Sequence, residues 1–115
     1  MTWICAAVLA GPCWADDPGG VVDGDARRGA RLMAQYQCGA CHVIPGIAAS
    51  RGTQGPSLAA FGSRSYIAGR IPNQPSLLAR WIERPASLVP STSMPDMGVP
   101  AKDARDMAAW LGTLR

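Results

Sequence analysis

The residues with the most specific chemistry lie within five positions, as Cys38-Gly39-Ala40-Cys41-His42. Two thiols three residues apart at the end of a helix can each add to a vinyl group of one porphyrin. The imidazole that follows the second thiol then lies beneath the metal as an axial ligand. The spacing therefore predicts covalent attachment of one haem through Cys38 and Cys41, with His42 as a ligand of its iron.

Three other uses of the Cys38/Cys41 pair are weaker. A redox dithiol of the thioredoxin type belongs to a βαβ unit, and the sequence has no strand-like alternation. Zinc needs four ligands, and after residue 15 the other soft donors are methionines. A structural disulfide would close a very short loop. His42 is the one histidine of the chain, so no site can use two imidazoles.

The second axial ligand must come from another residue type. Lys102 is the one lysine. Met33 precedes the motif on the same helix and is held on the His42 side, whereas Met107 falls on the apolar stripe of the last helix and is expected in the core. Met94 and Met97 lie in a Pro-rich loop that can cross the opposite face of the haem. Both remain candidates at this point, as does an open or water-bound position.

The elements that must position these residues are helices joined by long loops. Asp25 is a suitable N-cap for the first helix, and Pro100 suits the first turn of the last. Residues 43–57 lack periodicity, and residues 85–100 contain four prolines and are expected to be irregular. We expect helices over 25–37, over 64–70 with an end at Gly69, from Pro75 until Pro85, and from Pro100 to about Leu114. The pattern predicts a small all-α domain with about four helices and Pro/Gly-rich loops.

The composition supports a domain whose interior needs a cofactor. The 115 residues suffice for one domain, yet aromatics make up 6% of them, beside 13 glycines and 10 prolines. A haem is a large, flat, apolar body that would fill such a core. The net charge of +3 is mild, and the sequence has no basic run with interleaved aromatics, which argues against nucleic acid as a partner.

The N-terminus has the pattern of an export signal. Residues 3–15 are almost wholly apolar, too short to span a bilayer, and end in Cys13-Trp14-Ala15. We expect a signal peptide at 1–15 that is cleaved after Ala15, a flexible segment at 16–24, and a domain at 25–115 in the periplasm. A retained anchor and a lipid-modified Cys13 are the alternatives. Cleavage would leave Cys38 and Cys41 as the remaining cysteines.

With these features, the chain resembles the class I c-type cytochromes over residues 25–115. Beside the attachment motif, the resemblance rests on four further stretches of the sequence: Gly55-Pro56-Ser57-Leu58, residues 77–85, Pro90-Ser91-Thr92-Ser93-Met94-Pro95, and residues 103–111. The resemblance implies a small cytochrome c fold wrapped around one haem c. The portion from Trp81 to Pro95 is most similar to the soluble cytochromes and fused cytochrome domains that supply haem-copper oxidases.

The resemblance also implies roles for residues around the iron. The Pro56 carbonyl would accept a hydrogen bond from the second ring nitrogen of His42, and Leu58 would pack on the haem face. Met94 matches the position of the second axial ligand in the family. A thioether favours ferrous iron, so His/Met ligation raises the reduction potential.

Further implied roles concern the haem propionates and the helix crossing. Trp81 matches a tryptophan whose indole N–H donates to a propionate, and Arg70 and Asn73 are additional candidates for these groups. Gly29 on the first helix and Trp110 on the last match the point where the terminal helices cross in the family.

These expectations indicate an electron carrier rather than an enzyme. It would cycle between ferrous and ferric iron and exchange electrons with redox proteins, a dehydrogenase or cytochrome complex on one side and an oxidase or reductase on the other. One alternative is an electron-entry subunit of a larger membrane or dehydrogenase complex; another is a haem enzyme or gas-binding protein with an open distal site. Five arginines are expected either to form a basic rim that docks an acidic partner or to be an unspecific solvated face: Arg27, Arg28, Arg31, Arg51 and Arg64.

Overall fold

The computed structural model describes residues 24–115, so the predicted signal peptide and most of segment 16–24 lie outside it. Its helices are α1 (Ala26–Gln35), α2 (Pro75–Glu83), α3 (Pro85–Leu88) and α4 (Ala101–Leu111), with short 3₁₀ helices at Cys38–Ala40 and Phe61–Ser63. Strands β1 (Tyr66–Ile67) and β2 (Ile71–Pro72) pair antiparallel. The predicted small, mainly helical domain is confirmed. No helix of residues 24–115 has the length and apolarity that crossing a membrane requires.

Helix α1 delivers the chain to the attachment motif. The Asp25 carboxylate caps it by accepting a hydrogen bond from the Arg28 backbone N–H at 3.0 Å. The helix ends at Gln35, two residues before the predicted end, because Gln37 takes a left-handed conformation with φ 55°. This reversal leads directly into the 3₁₀ helix at Cys38–Ala40.

Two predictions about local structure were wrong. Residues 64–70 are not a helix, because Ala68 and Gly69 both have positive φ (51° and 70°) and turn the chain between β1 and β2. Residues 85–100 are not wholly irregular, since α3 begins at Pro85, where the missing N–H of proline costs no helical hydrogen bond.

Helices α1 and α4 cross at Gly29. A Cβ atom at this position would collide with the backbone carbonyl of Asp106, so the close approach of the two helices requires glycine. Met107, on α4 beside this crossing, is 1% exposed. The contact fixes α1, and with it the attachment motif, against the helix that forms part of the cavity wall.

A charged cluster at one end of this crossing joins the two helices, and we call it the α1–α4 clasp: Asp25, Arg28, Tyr36, Lys102, Asp103 and Asp106. Arg28 contacts Asp103 at 2.7 Å and Asp106 at 2.6 Å. Hydrogen bonds from the Tyr36 hydroxyl and from Arg28 hold the pKa of Asp103 below its usual value. The Asp25 backbone N–H and Arg28 lower the pKa of Asp106 in the same way.

The hydrophobic core lies between α1, α2, α4 and the loops. Its largest buried side chains include Leu78, Trp81 and Ile82 of α2, which pack with Met107 and Leu111 of α4. The core does not close on itself. A cavity remains within it, and every residue of the predicted site except Arg70 and Asn73 forms part of the wall of this cavity.

Candidate functional site

The cavity has a volume of about 680 Å³ and is bounded mainly by apolar side chains. This volume lies within the range of cofactor pockets. Its wall contains Cys38, Cys41, His42 and Met94, which come from segments up to 56 positions apart in the chain. Covalent attachment points and potential iron ligands therefore share one apolar space, and the residues present fit a haem.

The two thiols are presented by the 3₁₀ helix that follows α1. Both are free, and both side chains are partly exposed at the cavity wall. Burial raises the pKa of the Cys38 thiol above its usual value. The Cys41 thiol donates to the side-chain oxygen of Gln54 at 3.3 Å. Cys38 begins this helix and Cys41 follows it directly, and both residues form part of the cavity wall, where they would hold a haem.

His42 is held by a hydrogen bond between its Nδ1 and the carbonyl oxygen of Pro56, at 2.6 Å. A carbonyl can only accept, so Nδ1 carries the proton and Nε2 keeps a free lone pair for a metal. Gly55 lies against the ring, and a Cβ there would collide with imidazole atoms. The Gly55 N–H donates to the Cys41 carbonyl at 2.8 Å, which ties this loop to the attachment motif.

Three methionines contribute to the cavity wall, Met33, Met94 and Met107. Met33 and Met107 are 2% and 1% exposed and belong to the core of α1 and α4. Met94 is half-buried and lies in the loop between α3 and α4. Met97, three residues further, is 45% exposed and is not part of the wall.

The other predicted contact residues divide into two groups. Leu58 and Trp81 are buried and form part of the wall. Arg70 is exposed and does not contribute to it. Asn73 also lies outside the wall, because its amide donates to the Phe61 and Arg64 carbonyls at 3.0 Å each and holds the 61–73 segment together.

Arg64, which was expected either in a docking rim or on a solvated face, is part of the cavity wall. Its guanidinium donates to the carbonyls of Ser57 and Ala59, the latter at 3.1 Å, and lies 5.3 Å from the centre of the Phe61 ring. The Phe61-x-x-Arg64 spacing was the available signal, since it permits a cation–π contact. Tyr66 and Gln54 also belong to the wall, and no sequence pattern pointed to them.

The five arginines of the predicted rim do not behave alike. Arg28 is engaged in the α1–α4 clasp, and Arg64 in the cavity wall. The other three have exposed side chains: Arg27, Arg31 and Arg51.

Comparison with known proteins adds two findings. A family model described as Cytochrome c matches residues 26–115. Cytochrome c oxidase subunit 2 of Alkalihalophilus pseudofirmus is 32% identical over 90 residues, which cover 78% of this chain and 25% of the relative. The aligned part therefore corresponds to about a quarter of that relative's length.

Proposed function

Since this chain belongs to the cytochrome c family, we propose that it carries single electrons between respiratory or dehydrogenase proteins and does not itself transform a substrate. Haem c is bound covalently through two cysteines in this family, and here they are Cys38 and Cys41. Bound haem supplies a one-electron couple between ferric and ferrous iron. The protein contributes the ligands, the apolar surroundings and the exclusion of water.

His42 and Met94 are the proposed axial ligands. The single observation that carries this assignment is the shared cavity, whose wall contains both His42 and Met94. The hydrogen bond made by Nδ1 leaves Nε2 of His42 for a metal. Met94 lies in a loop and is only partly buried against the core, whereas Met33 and Met107 are buried within α1 and α4. The Pro56 carbonyl orients the imidazole and raises its basicity as a ligand.

Two N–H donors of the wall suit the haem propionates. Trp81 offers an indole N–H, and Arg64 offers a guanidinium whose position is fixed by two backbone carbonyls. Arg64 takes the role that the sequence suggested for Arg70, because β1 and β2 direct the chain so that Arg70 stays exposed.

A redox titration of the haem-loaded protein tests the proposed function. We expect one reversible wave that involves one electron per chain. The variant Cys38→Ala/Cys41→Ala, expressed in the same way, should lose the covalently retained haem and the wave with it. An irreversible wave, or steady consumption of hydrogen peroxide at an open iron, would contradict an electron carrier.

A second arrangement is supported by the similarity to an oxidase subunit. In it, the same electron-carrying domain belongs to a larger respiratory complex. Purification from its source in high salt separates the two: a partner that remains in fixed stoichiometry indicates a complex subunit, and a chain that elutes alone indicates a free carrier.

We also propose that the protein is exported to the periplasm, because residues 3–15 have the composition of a signal sequence. Mass spectrometry of the mature protein should find Asp16 as its first residue. A mature chain that retains residues 1–15 would contradict cleavage.

A further inference from the structure

The opening of the haem cavity has a definite chemical character. Six side chains are exposed to solvent and also form part of the cavity wall, and we call them the mouth surface: Gln54, Pro56, Tyr66, Ala68, Ser93 and Pro95. Any protein that approaches the bound haem along this opening contacts them. They therefore decide which kind of partner surface fits.

None of the six side chains is charged at neutral pH. Tyr66 is 57% exposed, which is the largest exposed fraction of any large hydrophobic side chain in residues 24–115. Within the described residues the whole cavity wall contains no acidic residue, and Arg64 is its one arginine. Arg64 donates through Nη2 to the Ser57 and Ala59 carbonyls, and its remaining N–H groups are those proposed for a haem propionate, so its charge is used inside the cavity.

Two charged residues follow members of the mouth surface closely in the sequence: Arg70 comes two positions after Ala68, and Asp96 directly follows Pro95. Their charges have opposite signs. The net charge of the whole domain, in contrast, is clearly positive. All eleven Lys and Arg and five of the eight acids lie in residues 24–115, which gives these residues a net charge of +6. Ten of the eleven cations lie outside the cavity wall, whose one Lys or Arg is Arg64.

We propose that this chain exchanges electrons through the mouth surface, and that its protein partner presents an uncharged, partly apolar patch around its own redox centre. An acidic patch would meet no cation among the six side chains of the mouth surface and would lose hydration on contact. An uncharged patch instead buries the Tyr66 ring and the two prolines and excludes water. The inference rests on the proposed electron-carrier function.

Voltammetry on gold electrodes with defined coatings tests this without a known partner. One coating ends in mixed methyl and hydroxyl groups, and the other ends in carboxylates. We expect electron transfer to the uncharged coating to be about tenfold faster, because carboxylates bind the protein through arginines away from the mouth. The faster rate should change little between low and high salt, whereas the carboxylate-bound signal should be lost as salt rises.

Two variants with the same added charge sharpen the comparison. Ser93→Lys places a cation in the mouth surface, and Ala86→Lys places one on the exposed side of α3, outside the cavity wall. Ser93→Lys should slow transfer at the uncharged coating and accelerate it at carboxylates, while Ala86→Lys should leave the ratio of the two rates unchanged. Unaltered absorption spectra show that both variants keep their haem environment.

Different outcomes would contradict the uncharged docking surface and the electron-carrier function. Fastest transfer at carboxylates, or equal effects of both lysine variants, would overturn the uncharged docking surface. The absence of a reversible wave on every coating would instead contradict the electron-carrier function itself.

Discussion

At the scale of single residues, the hydrogen bond between His42 and Pro56 determines what the site can bind. It places the proton on Nδ1 and leaves Nε2 as a donor of its lone pair. Gly55 makes this geometry possible, because the loop backbone passes so close to the imidazole that no side chain fits between them.

Gly55→Ala therefore tests the fit of the ring. The added methyl must displace the imidazole or the loop, and we expect a loss of about 1–3 kcal/mol of unfolding free energy, together with a changed absorption spectrum. Gly112→Ala is the matched control, since its Cβ would have ordinary contacts of 3.5 Å. Denaturant titration of the haem-loaded variants measures both. Equal stability of the two variants would contradict the role given to Gly55.

The sequence predicted site residues that are close together in the chain better than site residues that only the fold brings together. The Cys38-x-x-Cys41-His42 motif and the Gly55-Pro56 pair carry their chemistry in short stretches, so the cavity components they predict are present. Arg70 was the arginine predicted to contact the haem, but Arg64 is the one in the cavity wall, because residues 64–70 form a strand and a turn instead of the predicted helix.

At the scale of elements, helical periodicity predicted α1, α2 and α4 with boundary errors of a few residues. The two failures concern short segments. Ala68 has a positive φ, which is unusual for alanine and cannot be predicted from the residue type. Helix α3 has just four residues and lies among prolines. Neither segment is long enough to show a period.

The α1–α4 clasp predicts a pH dependence of stability. The folded-state pKa values of Asp103 and Asp106 lie below those of the unfolded chain. Their contribution is therefore fully present above the ordinary carboxyl pKa of about 3.9 and is lost as pH falls below it. We expect Asp106→Asn to lower Tm by about 5 °C at pH 7, and this deficit to shrink towards pH 3.

The control for this experiment is Asp96→Asn, which removes an exposed carboxylate outside the clasp. Thermal unfolding followed by circular dichroism should show a small change that is similar at both pH values. If Asp106→Asn shows the same deficit at pH 3 as at pH 7, the ionised clasp does not stabilise the helix crossing.

At the scale of the whole molecule, the bound haem completes the core. Without it, the apolar side chains of the cavity wall would face water instead of packing against the porphyrin. A typical domain is stable by about 5–15 kcal/mol, so the loss of this contact is a large fraction of the total. The chain produced without haem should therefore lack a cooperative thermal transition and lose much of its helical circular dichroism, whereas the haem-loaded protein melts sharply. A sharp transition of the haem-free chain near the same temperature would contradict this view.

The central claim is that His42 and Met94 hold the iron of an electron carrier. The most direct measurement is the absorption spectrum of the oxidised, haem-loaded protein beside those of Met94→Ala and Met97→Ala. We predict a far-red charge-transfer band in the wild type that persists in Met97→Ala and disappears in Met94→Ala. A band that survives in Met94→Ala, or a high-spin wild-type spectrum whose reduced form changes on adding carbon monoxide, would contradict the account.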